Sequence, residues 1–197
     1  MIAGDNLRAK WLALPLMILI FIAGCGDKGI ENPLNYEIKD FTFTNQEDKP
    51  FGLKDLKGKI WVADFIFTSC DTICPPMTAN MLKLQDMVKE EKLKNVEFVS
   101  FSVDPTVDNP KILKDYSEKF HVDTKNWSFL TGYSQEEIET FAMDNFKTLV
   151  KKPETGDQVV HQSYFFLVDQ EGKIMKSYSG SKEVPFDDIL KDIKSLD

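Results

Sequence analysis

Cysteine is scarce in this chain: 197 residues contain three, at positions 25, 70 and 74. That excludes a small scaffold knitted by several disulfides. Histidine is scarcer still, with only His121 and His161, so a structural zinc site, which wants four nitrogen or sulfur ligands, has little to draw on. Positive charge is also short. There are 24 Lys and Arg against 32 Asp and Glu, a formal net charge of −8. Nucleic acid needs clustered cations to meet its phosphates, so no nucleic-acid partner is expected. The acidity is diffuse and suits a solvated surface. Internal repeats and low-complexity tracts are absent, and the main apolar run stops at fourteen residues.

What remains is ample for a core. The chain is 42% hydrophobic and has 15 Phe and 3 Trp, in a length that suits one domain with a short appendage. The run "WLALPLMILIFIAG" follows Arg8 and Lys10 and contains Pro15. At ~1.5 Å per residue it reaches about 21 Å, short of the ~30 Å hydrocarbon core. A basic start and an apolar middle make residues 1–24 a secretory signal peptide. The segment "FIAGC" resembles a lipobox, in which a cysteine receives a diacylglyceryl chain before cleavage. Cys25 is then the lipidated first residue of a protein anchored on the extracytoplasmic face of the cell membrane. Residues 25–35 read as a polar tether, and residues 36–197 as the domain. Removing residues 1–24 leaves 22 basic against 31 acidic residues, a net −9.

"YEIKDFTFTN" (36–45) alternates as a strand does, and "LKDLKGK" makes a short helical turn ended by Gly58. "IWVADFIF" (60–67) is almost continuously apolar, as in a central strand covered on both faces. "MTANMLKLQDMVKEEKL" carries a helical stripe of Met77, Met81, Leu84, Met87 and Val88. "VEFVSFSVD" (96–104) is a second buried strand. Asn109 followed by Pro110 starts a helix, "WSFLTG" is a short strand, and Ser134 with Glu137 forms a capping box. "QSYFFLVDQEGKIMKSYSG" reads as two strands around a turn at 169–172, and "PFDDILKDIKSL" as a closing helix. Alternating strands and helices followed by an antiparallel half predict an α/β, thioredoxin-like fold. Its central mixed sheet is flanked by helices and preceded by an N-terminal β extension. Active groups are expected past the carboxyl ends of the parallel strands.

That places "TSCDTICPPM" (68–77) in the loop leaving the first buried strand. Pro76 suits a first helical turn, while Pro75 and Pro76 push their preceding residues, Cys74 included, toward extended geometry. Both thiols then sit at a helix N-terminus, where partial positive charge favours thiolates. A pre-helical loop can close a Cys70–Cys74 disulfide, keep a redox pair, or hold a metal. His121 follows a helix among polar residues and reads as a surface residue. His161 precedes the apolar strand "YFFLV", whose entering loop packs beside the cysteine loop in such a fold. Two thiolates and one imidazole form a soft set suited to Cu(I), or to Cu(II) with a fourth donor. Asp104, ending its strand, points toward the same rim and can orient the site, or serve a turn.

The pieces "FTSCDTICPPMT", "SFSVDPTVDNP", "NWSFLTGYS" and "VVHQSYFFLVDQEGKI" resemble the Sco/SenC family of copper proteins, in that family's order. The resemblance implies copper ligation by Cys70, Cys74 and His161, a membrane anchor facing outward, and assembly of the dinuclear copper centre of the copper-bearing subunit of cytochrome c oxidase. Delivery of copper and reduction of the target's cysteines are both compatible with it. The second use is that of an extracytoplasmic thiol-disulfide oxidoreductase, and it requires a thiol-disulfide reductant to restore the pair. Against a general oxidoreductase stands the three-residue spacer "DTI", where two residues are usual. Against a thiol peroxidase stands Phe67, in the place of the threonine of a Thr-x-x-Cys arrangement. The segment "FKTLVKKPETGDQVV" lies where family members vary, and its role is open.

Overall fold

The computed structural model describes residues 29–156 and 158–197; the expected signal peptide and Cys25 lie outside the described residues. The described residues form ten strands and four α-helices, with eight of the strands in one large mixed sheet and two in a separate ribbon. The strands are β1 (Tyr36–Glu37), β2 (Thr42–Asn45), β3 (Pro50–Gly52), β4 (Ile60–Ile66), β5 (Val96–Ser102), β6 (Trp127–Thr131), β7 (Val150–Lys151), β8 (Val160–His161), β9 (Tyr164–Val168) and β10 (Lys173–Ser179). The helices are α1 (Cys74–Glu90), α2 (Pro110–Lys119), α3 (Gln135–Phe141) and α4 (Phe186–Leu196). Among the described residues no helix is long and apolar enough to cross a membrane.

The sheet order is β1-β10-β9-β4-β5-β6-β2-β3. Its centre is parallel: Ile60 to Ile66 of β4 run in register with Val96 to Ser102 of β5, and Phe98 of β5 faces Trp127 of β6. All seven residues of β4 are buried, as a strand covered on both faces must be. The antiparallel half follows from the tight turn after β9. There Asp169 Oδ1 accepts from the backbone N–H groups of Glu171 and Lys173, and Gly172 adopts a φ of +83°, a conformation that glycine reaches without steric cost.

Alternation along β4 divides the core. Trp61 and Phe65 point to one face, where Phe101, Phe146 and Phe166 meet them with Phe65 centroid distances of 5.4, 5.1 and 6.2 Å. Phe41 and Phe141 extend that cluster under α3. The opposite face carries α1, α2 and α4. Tyr116 of α2 shares a 2.8 Å hydrogen bond with Thr78 of α1, and Lys83 of α1 lies 4.1 Å above the Phe186 ring of α4. Helices on both faces of a mixed sheet, with the parallel unit first and the antiparallel unit last, make this a thioredoxin-like fold.

Helix starts follow their local signals. The Asn109 side chain accepts from Ile112 N at 3.1 Å, and Ser134 and Glu137 form the reciprocal capping box. The segment 36–45 departs from the expected single strand. It divides into β1 and β2, far apart in the sheet, because Ile38 and Phe41 leave the ladder to enter the core. Folded contacts also begin inside the segment read as a tether: Ile30 is buried, and Leu34 N donates to Met175 O.

Candidate metal and redox centre

The cysteine loop joins the end of β4 to the start of α1, and its base is clamped. The buried carboxylate of Asp108 accepts from Thr68 N at 3.1 Å, Thr68 Oγ1 at 2.5 Å and Ser102 Oγ at 2.6 Å. Asp108 thus ties the residue two before Cys70 to the end of β5. Burial raises its carboxyl pKa, with the Ser102 and Thr68 donors pulling the other way. Residue types in "SFSVDPTVD" do not single Asp108 out, since an aspartate after a strand commonly serves a turn.

Cys74 is not extended, as the prolines after it suggest; it is the first residue of α1, and the residue before it, Ile73, is already right-handed helical. Proline in a first turn removes only an N–H that lacks an intrahelical partner anyway. The Cys74 N–H instead donates to Cys70 Sγ at 3.4 Å. Cys70 sulfur therefore accepts at the helix N-terminus, the place usually taken by a Ser or Asp oxygen.

This makes the two thiols unequal. Both are unpaired and buried. Burial pushes the Cys70 pKa up, but donors from Cys74, Thr72 and Ile73 outweigh it, and the net shift is downward. Cys74 goes strongly the other way, through burial first and then the Cys70 sulfur and the Asp64 carboxylate as repelling charges. Cys70 is the more readily ionised thiol, and Cys74 holds its proton more firmly.

His161 lies in β8, half-buried, and places Nε2 3.5 Å from Cys74 Sγ across 87 residues of sequence. Its other nitrogen, Nδ1, is 3.2 Å from the Gln162 carbonyl. A carbonyl can only accept, so Nδ1 carries the hydrogen and Nε2 presents its lone pair to the Cys74 thiol. Burial lowers the His161 pKa, against an opposing push from the Gln162 carbonyl. Burial thus favours the neutral ring, against which Phe67 packs edge-on at 5.7 Å. A neutral imidazole oriented through its far nitrogen is how metal-ligating histidines are usually held, so the donors fit a soft cation. As they stand, no three His, Cys, Asp or Glu side chains among the described residues are grouped closely enough to hold a metal ion.

The other candidates lie elsewhere. His121 is exposed after α2 with a φ of +57°. Asp104 does not end the strand: β5 stops at Ser102, and Asp104 is buried in the loop that follows, where its carboxylate accepts from Thr106 Oγ1 and Lys152 Nζ, with no hydrogen bond to either cysteine or to His161. The segment of open role forms the β7–β8 ribbon that carries His161.

A thioredoxin-like domain that sets a split thiol pair against a distant imidazole defines a class: proteins that handle a soft metal or a disulfide at one rim of the sheet. The chain belongs to the SCO1/SenC family, whose model matches residues 31–196. A SCO1/SenC family lipoprotein from Bacillus anthracis str. Ames is 60% identical, with a TM-score of 0.83 over 85% of this chain and 99% of that one. BsSco, a member of the Sco family of cytochrome c oxidase assembly proteins with a disulfide switch, is 54% identical. Its TM-score is 0.79, over 85% of this chain and 97% of that one. Arabidopsis thaliana ScoI with copper bound is 28% identical, with a TM-score of 0.68 over 80% and 96% of the two chains.

Proposed function

We propose that this protein is a copper-binding assembly factor for cytochrome c oxidase, with Cys70, Cys74 and His161 as the copper ligands. It acts on the copper-bearing subunit of the oxidase, delivering copper to the dinuclear centre or maturing it. Cys25 carries the lipid that holds it to the extracytoplasmic face of the membrane, in keeping with its lipoprotein relative. The observation that carries the reading is the 3.5 Å approach of His161 Nε2 to Cys74 Sγ, with Nδ1 turned to a carbonyl. Family membership and the copper-bound relative support it. Ligation by all three groups displaces the Cys74 proton, so uptake of copper releases acid.

Anaerobic titration of the reduced protein, followed by absorption and electron spin resonance, tests this. About one copper per chain is expected, with sulfur and nitrogen donors. His161→Ala holding copper as tightly as the parent overturns the three-ligand site.

The split acidity of the thiols favours a second use of the same pair. The Cys70 thiolate attacks a target disulfide, expelling one target thiolate and leaving a mixed disulfide. Cys74 then loses its proton and attacks Cys70 Sγ, which frees the second target thiolate and leaves a Cys70–Cys74 disulfide. The target gains two electrons and the pair loses two. Rapid reduction of a disulfide substrate without metal identifies this activity; its absence in the reduced protein removes it.

A further inference from the structure

His161 stands on weak foundations. β7 and β8 are two residues each, pair only with one another (Val150 opposite His161, Lys151 opposite Val160), and add no hydrogen bond to the main sheet. So short a two-stranded ribbon is not stable by itself. His161 runs on into β9 at Tyr164, which anchors it from one side; what fixes β7 supports the imidazole from the other.

Two lysines in sequence do so. Lys152 Nζ donates to Asp104 Oδ1 at 2.6 Å and to Thr106 Oγ1 at 2.7 Å, in the loop after β5. The Asp104 side chain is only 2% exposed and that of Lys152 only 24%, so water screens this pair far less than a surface one. Lys151 Nζ meets Glu139 Oε2 of α3 at 2.8 Å, and Glu139 Oε1 accepts from the Lys152 backbone N–H at 2.9 Å. The side of the ribbon away from His161 is thus pinned to α3 and to the rim loop after β5.

We propose that Lys152 and Asp104, seconded by Lys151 and Glu139, are positioning residues that hold the β7–β8 ribbon so that His161 stays on Cys74. The consequence for copper rests on the ligand assignment above; the latch itself does not. Lys152→Met removes the cation and keeps the aliphatic stem, while Lys152→Arg keeps the charge.

In the reduced, metal-free protein, hydrogen exchange at Lys151, Val160 and His161 is expected to accelerate about tenfold or more in Lys152→Met, with β4 amides unchanged and Lys152→Arg close to the parent. Copper is expected to dissociate about tenfold faster from Lys152→Met, with weakened nitrogen coupling in the spin-resonance spectrum. Unchanged ribbon exchange overturns the latch. Faster exchange with unaltered copper dissociation overturns the positioning role. Should Lys152→Met lose protection in β4 as well, Glu139→Gln replaces it, and the same two readouts decide in the same way. If His161→Ala keeps its copper, the ligand assignment fails while the metal-free exchange still decides the latch.

Discussion

Asp64 allows a prediction with a sign and a size. It lies on β4, fully buried, with its side chain on the face covered by α1 and α2, and neither carboxylate oxygen has a hydrogen-bond partner among the described residues. Its cross-strand neighbour Ser100 already accepts from Trp127 Nε1 at 2.9 Å and only tempers the effect. Burial pushes the carboxyl from its ordinary 3.8 up to about 7. Between those pH values the folded protein holds a proton that the unfolded chain has released. The contribution to stability is therefore full below about pH 4 and is lost as pH rises through about 7. At ~1.4 kcal/mol per tenfold, the whole loss is about 4 kcal/mol, of which about 3 falls between pH 5 and pH 8. Asp64→Asn removes the linked proton. Urea denaturation of the reduced, metal-free protein should show the variant gaining about 3 kcal/mol on the parent between pH 5 and pH 8, whatever the fixed cost of its unpartnered amide. Parallel pH profiles for the two proteins refute the reasoning. Because the Asp64 charge also raises the Cys74 pKa, the variant's second thiol should titrate at lower pH.

Three further outcomes follow from the site and its supports. A limiting alkylating agent near neutral pH should label Cys70 before Cys74, as peptide mass spectrometry will report; equal labelling contradicts the split acidity. Asp108→Ala strands Thr68 N, Thr68 Oγ1 and Ser102 Oγ and should lower the unfolding free energy by about 3 kcal/mol or more. A loss below about 1 kcal/mol in denaturant would mean that water replaces the clamp. Asn109→Ala removes one cap at α2 and should cost about 1 kcal/mol in the same experiment, with Cys70 reactivity unchanged.

Much of this architecture is legible in residue order, for identifiable reasons. The run at 60–66 has no polar alternation, and only a strand covered on both faces tolerates that. The stripe in α1 buries Met77, Met81, Leu84 and Val88, while Met87 stays at its margin. Asn109 and Ser134 cap because their oxygens reach backbone N–H groups three residues on. Other features depend on distant partners. The division of residues 36–45 follows from aromatic rings more than fifty residues away. The cysteine loop announces helix-starting prolines, but that Cys70 sulfur accepts the Cys74 amide depends on the loop's tertiary path. The β7–β8 ribbon is illegible in the sequence because two residues per strand carry no pattern, and its supports are distant: the core that buries Val150 and Val159, and the ion pairs to Asp104 and Glu139. Asp64 stands in plain view inside an apolar run, yet its meaning depends on the absence of any partner around it.

The unequal thiols connect the two proposed uses of the pair. Disulfide formation and copper ligation both require Cys74 to give up its proton, and burial with the neighbouring charges opposes that. The same surroundings leave Cys70 ionisable, so either chemistry starts at Cys70 and stops there until Cys74 is deprotonated. Nε2 of the imidazole faces that proton at 3.5 Å. On the proposed copper route the proton must pass on to solvent, because an imidazole protonated at both nitrogens has no lone pair for a metal; on the disulfide route no metal is needed. In the two proposed uses, the same imidazole, facing one buried thiol at 3.5 Å, would serve as proton acceptor on the disulfide route and as ligand on the copper route. The choice between them turns on whether a soft cation or an oxidised partner reaches Cys70 first.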